Sequence, residues 1–192
     1  MKKTAITAAQ ILPVLAERWS PRSYDTNYEL TSHEVLSMLE AARWAPSANN
    51  AQPWRFSVLH RGTELFNQVA ADGLTGFNQA WAPNSSTIVV VSIVTKTADG
   101  KESKSAPYDA GLAVANLVIQ AHELGLHAHQ IGGFVPDAIR SILELDESLS
   151  PIVLVAIGKV APADQLEGPA YEREIAPRTR FELDDIVLHG KP

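Results

Sequence analysis

The segment Ala45-Pro46-Ser47-Ala48-Asn49-Asn50-Ala51-Gln52-Pro53-Trp54 carries the most information about the fold of this chain. Its two prolines enclose small and polar residues, and this composition predicts a rigid loop because proline fixes the backbone and asparagine and serine form local turns. The residues that follow, Trp54 to Leu59, predict a strand with Trp54, Phe56 and Val58 on one face. The amide and hydroxyl groups of the loop suit the edge of a flat heteroaromatic ligand, although an ordinary polar turn has the same composition.

The composition of the chain limits its classes of function. A length of 192 residues with 45% hydrophobic residues is typical of one globular domain. The chain contains no cysteine, which excludes disulfides, thiolate metal ligands and a cysteine nucleophile. The formal net charge of -6 disfavours non-specific binding to nucleic acid or to anionic membranes, because both require a basic surface. With no apolar signal-peptide core and no run of roughly eighteen apolar residues, we expect a soluble, cytoplasmic protein.

Helix signals lie upstream of the quoted segment. A first helix is predicted within Ile6 to Arg18, where Pro13 would start or kink it. Thr31-Ser32-His33-Glu34 has the pattern of a capping box, in which the threonine hydroxyl and the glutamate carboxylate each bind the other's backbone. A helix from about Ser32 to Trp44 is therefore expected.

Downstream, helical and strand patterns are mixed without a regular βαβ alternation, which predicts an α+β fold with a central sheet flanked by helices. Residues 161 to 180 are rich in Pro, Glu and Arg and lack a clear period, so they are predicted to form an extended arm. The other predicted elements are helices over Thr63 to Ala71, Tyr108 to Leu124 and Pro136 to Leu145, and strands over Ile88 to Val94, His127 to Ile131 and Ile152 to Ile157.

The helix predicted over Tyr108 to Leu124 is apolar around nearly its whole circumference. Such a helix has to be buried on all sides, which is difficult within one small subunit. We infer that part of this helix packs against a second copy of the chain. A central core helix in a monomer is the alternative.

Two pairs of arginines lie near opposite ends of the chain. In Arg18-Trp19-Ser20-Pro21-Arg22 the two arginines and the serine occupy alternate positions, so an extended backbone would present them on one side. Arg178 and Arg180 repeat this spacing in the predicted arm. Guanidinium groups and a hydroxyl suit a phosphate, whereas the alternative for each pair alone is solvated surface charge.

Other catalytic patterns are weak. His122, His127 and His129 have no carboxylate at a standard metal-ligand spacing, so no metal site is predicted. Gly132-Gly133 is not a dinucleotide-binding fingerprint, and no serine lies in a Gly-x-Ser-x-Gly context. Redox chemistry would require a bound cofactor.

The quoted segment resembles the signature of the nitroreductase family of FMN-dependent oxidoreductases, Pro-Ser-x-x-Asn-x-Gln-Pro-Trp followed by a strand. The resemblance extends from about Arg18 to Gly190. It implies an α+β, nitroreductase-like three-layer fold, with a central mixed β-sheet flanked by helices, in an intertwined homodimer. Residues 1–192 would form a single FMN-binding domain, with 161–192 as a C-terminal arm.

The resemblance also implies roles for individual residues. Arg18 and Ser20 would serve the phosphate and ribityl chain, and Arg22 the N1/O2 edge of the flavin. The loop matched by Pro46, Ser47, Ala48 and Asn50 would reach the flavin of the other subunit, giving an obligate homodimer with two interfacial sites. No catalytic side chain and no metal are predicted. The complete set of expected FMN contacts is Arg18, Trp19, Ser20, Arg22, Pro46, Ser47, Ala48, Asn50, Gln52, Asn78 at the pyrimidine end, Ile131, Gly132 and Gly133 facing N5, and Arg178 and Arg180 on the phosphate.

The function that the resemblance implies is hydride transfer from NADPH or NADH through flavin N5 to nitroaromatics, quinones or similar planar acceptors in a ping-pong cycle. A specialised flavin reaction of the same fold, such as dehalogenation or azoline oxidation, and a non-catalytic flavin-binding protein are the alternatives. Trp19, Ala48, Trp81 and Gly132 depart from residues common in the family, so the acceptor does not follow from the resemblance.

Overall fold

The computed structural model describes residues 3–97 and 99–190. The ends of the predicted domain, residues 1–2 and 191–192, lie outside the described residues. None of the described helices is long and apolar enough to cross a membrane. The helices are α1 (Pro13–Glu17), α2 (Ser32–Arg43), α3 (Glu64–Gln68), α4 (Ala106–Glu123), α5 (Pro136–Ile142), α6 (Gly168–Ile175) and α7 (Leu183–Ile186), and the strands are β1 (Trp54–His60), β2 (Thr87–Val94), β3 (His127–Ile131) and β4 (Leu149–Gly158).

Local sequence signals set the starts of two helices. Pro13 occupies the first turn of α1, so it starts this helix, which is much shorter than the range within which it was predicted. At α2 the capping box is confirmed, because the backbone N–H of Glu34 donates to the Thr31 hydroxyl at 3.2 Å and the backbone N–H of Thr31 donates to the Glu34 carboxylate at 2.7 Å. A cap of this kind stabilises a helix by about 1 kcal/mol.

The four strands form one sheet in the order β1-β2-β4-β3, and every neighbouring pair is antiparallel. The expectation of a mixed sheet is therefore wrong for the described residues. Helix α4 does connect two strands that run in the same direction, β2 and β3, as a crossover helix does. Strand β4 lies between them as the neighbour of both, so no parallel pair forms.

Helices cover both faces of this sheet and give the predicted three layers. Alternate residues of β2 point to opposite sides: Val89 and Val91 pack in the core that contains α2 and α4, whereas Ile88 and Val90 pack in the core that contains Phe66 of α3 and other residues. Nearly the whole of β2 is buried, as its almost wholly apolar sequence predicts. Each such side chain contributes about 1.5–3 kcal/mol by leaving water.

Helix α4 is buried on only part of its circumference. The side opposite the sheet carries Tyr108, which is 71% exposed, with exposed Gly111 and Ala115 and half-buried Leu112 and Ile119. Within one chain the expected burial on all sides is thus absent. This apolar stripe argues against a fully enclosed monomer helix, and its coverage by a second copy stays a prediction.

The segment predicted to be an extended arm contains a helix. Residues Gly168–Ile175 form α6, so the expectation that 161–180 is extended is wrong. Proline in its first turn favours the helix start, and Ala170 and Glu174, four residues apart, form its buried side. Pro177 disfavours a helical backbone at the preceding residue, and Ala176 is extended with ψ 142°.

Candidate functional site

The two arginine pairs lie together in the structure. Arg18, Ser20, Arg178 and Arg180 line one recess of about 240 Å³, which we call the basic recess. Sequence analysis had predicted these four as one phosphate site from opposite ends of the chain. The full lining is Lys3, Arg18, Trp19, Ser20, Arg173, Ala176, Pro177, Arg178 and Arg180.

The backbone that follows α1 presents Arg18 and Ser20 to the basic recess. Arg18 adopts an extended conformation at the end of the helix, with ψ 137°, and its Nη2 donates to the Ser20 hydroxyl at 3.3 Å. The intervening Trp19 is only 7% exposed and makes an edge contact with the His127 ring, and Pro21 is also buried. Trp19 therefore anchors the segment, and its indole belongs to the protein interior.

The charged residues that line the basic recess are all positive. Burial, followed by the nearby charges of Arg178 and Arg180, lowers the pKa of Arg18. Burial and then Arg180 lower the pKa of Arg178. The buried Arg18 Nε has no hydrogen-bond partner within residues 3–97 and 99–190. A bound anion would relieve the repulsion between these guanidinium groups and would accept a hydrogen bond from the unsatisfied donor.

Arg22 lies next to the basic recess but has different surroundings. Its guanidinium lies 5.7 Å from the centre of the Phe77 ring, and the Arg173 guanidinium lies 4.7 Å from the same ring. The buried Arg22 Nε also has no hydrogen-bond partner in the part of the chain that the structure describes. Burial is the main cause that lowers the pKa of Arg22, against the opposing effect of Glu174. Through Phe77, Arg22 is connected to the segment that carries Asn78.

Asn78 and the Gly132-Gly133 turn form a second group at the end of β3. The Asn78 side-chain amide donates to the Gly133 carbonyl at 3.1 Å. A Cβ on Gly133 would lie 2.6 Å from Asn78 Nδ2, whereas a Cβ on Gly132 would have no atom within 4 Å. Ile131 ends the strand with a buried side chain. Gly133 thus packs against Asn78, and Gly132 faces open space.

Trp81 lies next to the second group, since its backbone N–H donates to the Asn78 carbonyl at 3.4 Å, but its side chain lies in the interior. Its side chain is fully buried, stacked on Tyr24 and 4.4 Å from the His129 ring, measured between ring centres. His129 Nδ1 is 2.8 Å from the Pro21 carbonyl, an arrangement in which the ring nitrogen donates. His129, against which Trp81 packs, therefore holds the Arg18–Arg22 segment through the Pro21 carbonyl.

The polar loop quoted first, residues 46–52, forms a third group. Asn49, Asn50 and Gln52 have left-handed backbones with φ of 51°, 55° and 47°. The Gln52 N–H donates to the Ser47 hydroxyl at 3.0 Å, and the Ala48 N–H donates to the buried carboxylate of Asp109 at 3.3 Å. Among the predicted ligands of this loop, Pro46, Ala48, Asn50 and Gln52 are exposed.

The structure thus places the predicted ligands in three groups, of which the polar loop is anchored at the start of α4. Sequence analysis missed Lys3 and Arg173, which also line the basic recess. Arg173 had a detectable signal, because it lies five residues before Arg178 in the same basic segment. Lys3 had none, since nothing near it in the sequence marks its contacts.

The three histidines are half-buried, and the ring of each contacts another ring. Burial is the first cause that lowers the pKa of His127 and His129, in each case to about 4. Both rings are consequently neutral at pH 7. Residues 3–97 and 99–190 contain no group of three or more His, Cys, Asp or Glu side chains that could hold a metal ion.

Comparison with known proteins supplies independent evidence. The model of the Nitroreductase family matches residues 15–76 and 62–159. The chain is 28% identical over 189 residues to YodC of Bacillus subtilis strain 168, named as a candidate NAD(P)H nitroreductase, with 80% of this chain and 92% of YodC covered.

Solved structures give the same relationship. The crystal structure of an oxidoreductase containing FMN is 34% identical, with a TM-score of 0.90 over 97% of this chain and 95% of that one. A candidate nitroreductase from Exiguobacterium sibiricum 255-15, solved in complex with FMN, is 25% identical, with a TM-score of 0.76 over 95% of this chain and 98% of that one.

Proposed function

Because this chain belongs to the nitroreductase family, we propose that it is an NAD(P)H-dependent FMN oxidoreductase acting on nitroaromatics, quinones or similar planar acceptors. The observation that carries the proposal is the basic recess, where Arg18, Ser20, Arg178 and Arg180 meet although they come from opposite ends of the chain. The FMN-containing relatives support the choice of cofactor.

The basic recess fits the phosphate of FMN. Each guanidinium has five N–H donors, so Arg178 and Arg180 keep donors for a ligand beyond the bonds that their Nη1 atoms make to backbone carbonyls. The unpartnered Arg18 Nε provides a further donor. Forked donors and a hydroxyl around a phosphate form charge-assisted hydrogen bonds, which are stronger than neutral ones.

The second group would hold the isoalloxazine end. Gly132 leaves open space at the end of β3, and the amide of Asn78 borders it. Arg22, beside Phe77, would bring a positive charge to the ring, where it would stabilise negative charge gained on reduction. When bound, FMN supplies the hydride chemistry between NAD(P)H and the oxidised acceptor. The protein therefore needs to orient the flavin and its substrates and to stabilise the charge that the flavin gains. It needs no nucleophilic side chain.

We also propose a homodimer in which the polar loop contributes to the partner's site. Leu36 and Trp44 of the α2 region are also exposed, and α2 is hydrogen-bonded to α4 through Asn116 and Gln120. Large exposed apolar patches of this kind mark interaction surfaces. Asp109, which anchors the polar loop, lies in the first turn of α4, so the loop adjoins this surface.

The test is a spectral titration of the apoprotein with FMN, followed by anaerobic addition of NADH or NADPH and then of a nitroaromatic or a quinone. We expect a bound flavin spectrum, bleaching by at least one nicotinamide and recovery of the absorbance with the acceptor. No spectral change on FMN addition would contradict the cofactor assignment. Binding without bleaching by either donor would instead favour a flavin-binding protein and contradict the enzyme.

A further inference from the structure

Lys3 has an environment that its place near the start of the chain does not suggest. Its ammonium donates to the backbone carbonyl of Glu174 and, at 2.8 Å, to that of Ala176. It also lies 4.7 Å from the centre of the Trp19 ring, in a cation–π contact. An ammonium has three N–H donors, and these three partners account for them.

The backbone around Lys3 is held by the basic recess in return. Arg178 Nη1 donates to the carbonyl of Lys3 and to that of Ala16, both at 2.6 Å. The Ala5 N–H donates to the same Ala16 carbonyl at 2.8 Å. Ala16 lies at the end of α1, directly before the segment that presents Arg18. Residues 3–5 therefore lie between the two halves of the basic recess and are bonded to both.

We propose that Lys3 is a positioning residue for phosphate recognition: it ties the end of α6 to Trp19 and so sets the distance between Arg18 and Arg178. This inference rests on the proposed function, since it assumes that the basic recess receives the phosphate of FMN. The ammonium acts through its neighbours, because its donors are directed to Glu174, Ala176 and Trp19.

The contacts of Lys3 require a cation with several N–H donors. The end of α6 leaves carbonyl groups without helical partners, and a cation with several donors satisfies them. An arginine at position 3 would keep the charge, the donors and the affinity for an aromatic face, whereas alanine would keep none of these. Lys3→Arg should therefore rescue what Lys3→Ala loses.

The experiment compares FMN with riboflavin, which has the same ring but no phosphate. Dissociation constants are measured by fluorescence for the wild type, Lys3→Ala, Lys3→Arg and the control Lys101→Ala, whose lysine is highly exposed and pairs only with neighbouring Asp99 among the ion pairs of the described residues. We expect Lys3→Ala to weaken FMN binding about tenfold, as for one misplaced charge-assisted hydrogen bond, with riboflavin binding unchanged. Lys3→Arg and Lys101→Ala should match the wild type.

Each of the other possible binding results would contradict either the role of Lys3 or the phosphate site. An equal loss of FMN and riboflavin in Lys3→Ala would make Lys3 a general stabiliser and overturn the inference, as would unchanged FMN binding. A deficit that disappears at high ionic strength would assign the effect to charge alone, because salt screens charge but does not restore position. A wild type that binds FMN no better than riboflavin would overturn the phosphate site itself, and this inference with it.

Discussion

The backbone N–H of Arg22 donates to the carboxylate of Glu174 at 2.8 Å, although 152 positions separate the two residues in the sequence. The Ser23 N–H donates to the other oxygen of the same carboxylate at 3.2 Å. Glu174 is only 1% exposed. This single side chain fixes α6 to Arg22 and Ser23 and thereby brings the C-terminal arginines next to Arg18.

Glu174→Ala should lower both the free energy of unfolding and the affinity for FMN. The substitution leaves the N–H groups of Arg22 and Ser23 without partners, at about 1–3 kcal/mol for each buried group. Glu174→Gln keeps one acceptor and should lie between the wild type and the alanine variant in urea denaturation. Glu172, exposed on the same helix, provides the control, since Glu172→Ala should change stability by less than about 0.5 kcal/mol.

The two adjacent glycines at the end of β3 should respond differently to alanine. Gly133→Ala places a Cβ 2.6 Å from Asn78 Nδ2 and 3.1 Å from Thr75 Oγ1, so Asn78 has to move, at about 1–3 kcal/mol. Gly132→Ala meets no atom within 4 Å and should leave the unfolding free energy of the apoprotein nearly unchanged. Thermal denaturation of the two apoproteins measures the difference, and equal destabilisation would contradict this packing.

The stability of the apoprotein should fall as the pH drops from about 6.5 to about 4. Burial lowers the pKa of His129 to about 4, so between these values the unfolded chain binds a proton that the folded chain excludes. The fall in pKa from 6.5 to about 4 corresponds to roughly 3.5 kcal/mol, at about 1.4 kcal/mol for each pH unit. His127, whose pKa burial also lowers to about 4, adds in the same direction.

Urea denaturation at several pH values measures this effect. His129→Gln should flatten the dependence between pH 6.5 and 4, although it also removes the contact with Trp81 and lowers stability at pH 7. His33 is exposed on α2, so His33→Gln is the control for replacing a histidine outside the core. An unchanged slope in His129→Gln would show that His129 is protonated in the folded protein.

The elements that sequence analysis predicted correctly depend on neighbouring residues. The capping box at Thr31 and the buried strand from Ile88 are specified within a few positions, so their local patterns suffice. The antiparallel sheet was missed because β4 separates β2 from β3 only after the whole chain has folded. The direction of a strand leaves no mark on its own pattern of buried residues.

Parts of the candidate site were missed for a related reason. The signal of α6 is small, because its buried residues in the described structure are only Ala170 and Glu174, and a buried carboxylate resembles an exposed one in a sequence. The contact between Lys3 and the Glu174 carbonyl joins positions 171 apart. The arginine pairs were found because both repeat a spacing that has a chemical meaning for phosphate.

The apolar stripe on α4 predicts that a charge placed in it would dissociate the proposed dimer. Ala115→Glu places a carboxylate in the middle of the proposed dimer interface, where an unpaired buried charge costs about 3–5 kcal/mol. The dimer dissociation constant should rise by more than roughly a hundredfold in analytical ultracentrifugation. Ala71 is exposed elsewhere on the chain, so Ala71→Glu should leave the dimer intact. A monomeric wild type would contradict the proposed assembly.

Arg22 and Arg180 should have separable effects on FMN. Arg22 lies beside Phe77, away from the centre of the basic recess, and its charge would stabilise the reduced ring more than the oxidised one. Arg22→Ala should therefore lower the reduction potential of bound FMN and weaken its binding. Arg180 lines the basic recess, so Arg180→Ala should weaken binding by about 1–3 kcal/mol without changing the potential.

Spectroelectrochemical titration of each FMN-loaded variant measures the potential, and equilibrium titration measures the affinity. Lys101→Ala is the control, because this exposed lysine pairs with Asp99 and lies in none of the three groups of predicted ligands. It should change neither quantity. Since binding and potential are linked, a lower potential in Arg22→Ala means that the reduced cofactor loses more affinity than the oxidised one. An unchanged potential with full FMN occupancy in Arg22→Ala would show that Arg22 does not act on the flavin ring. Wild-type FMN affinity in Arg180→Ala would show that Arg180 does not bind the phosphate.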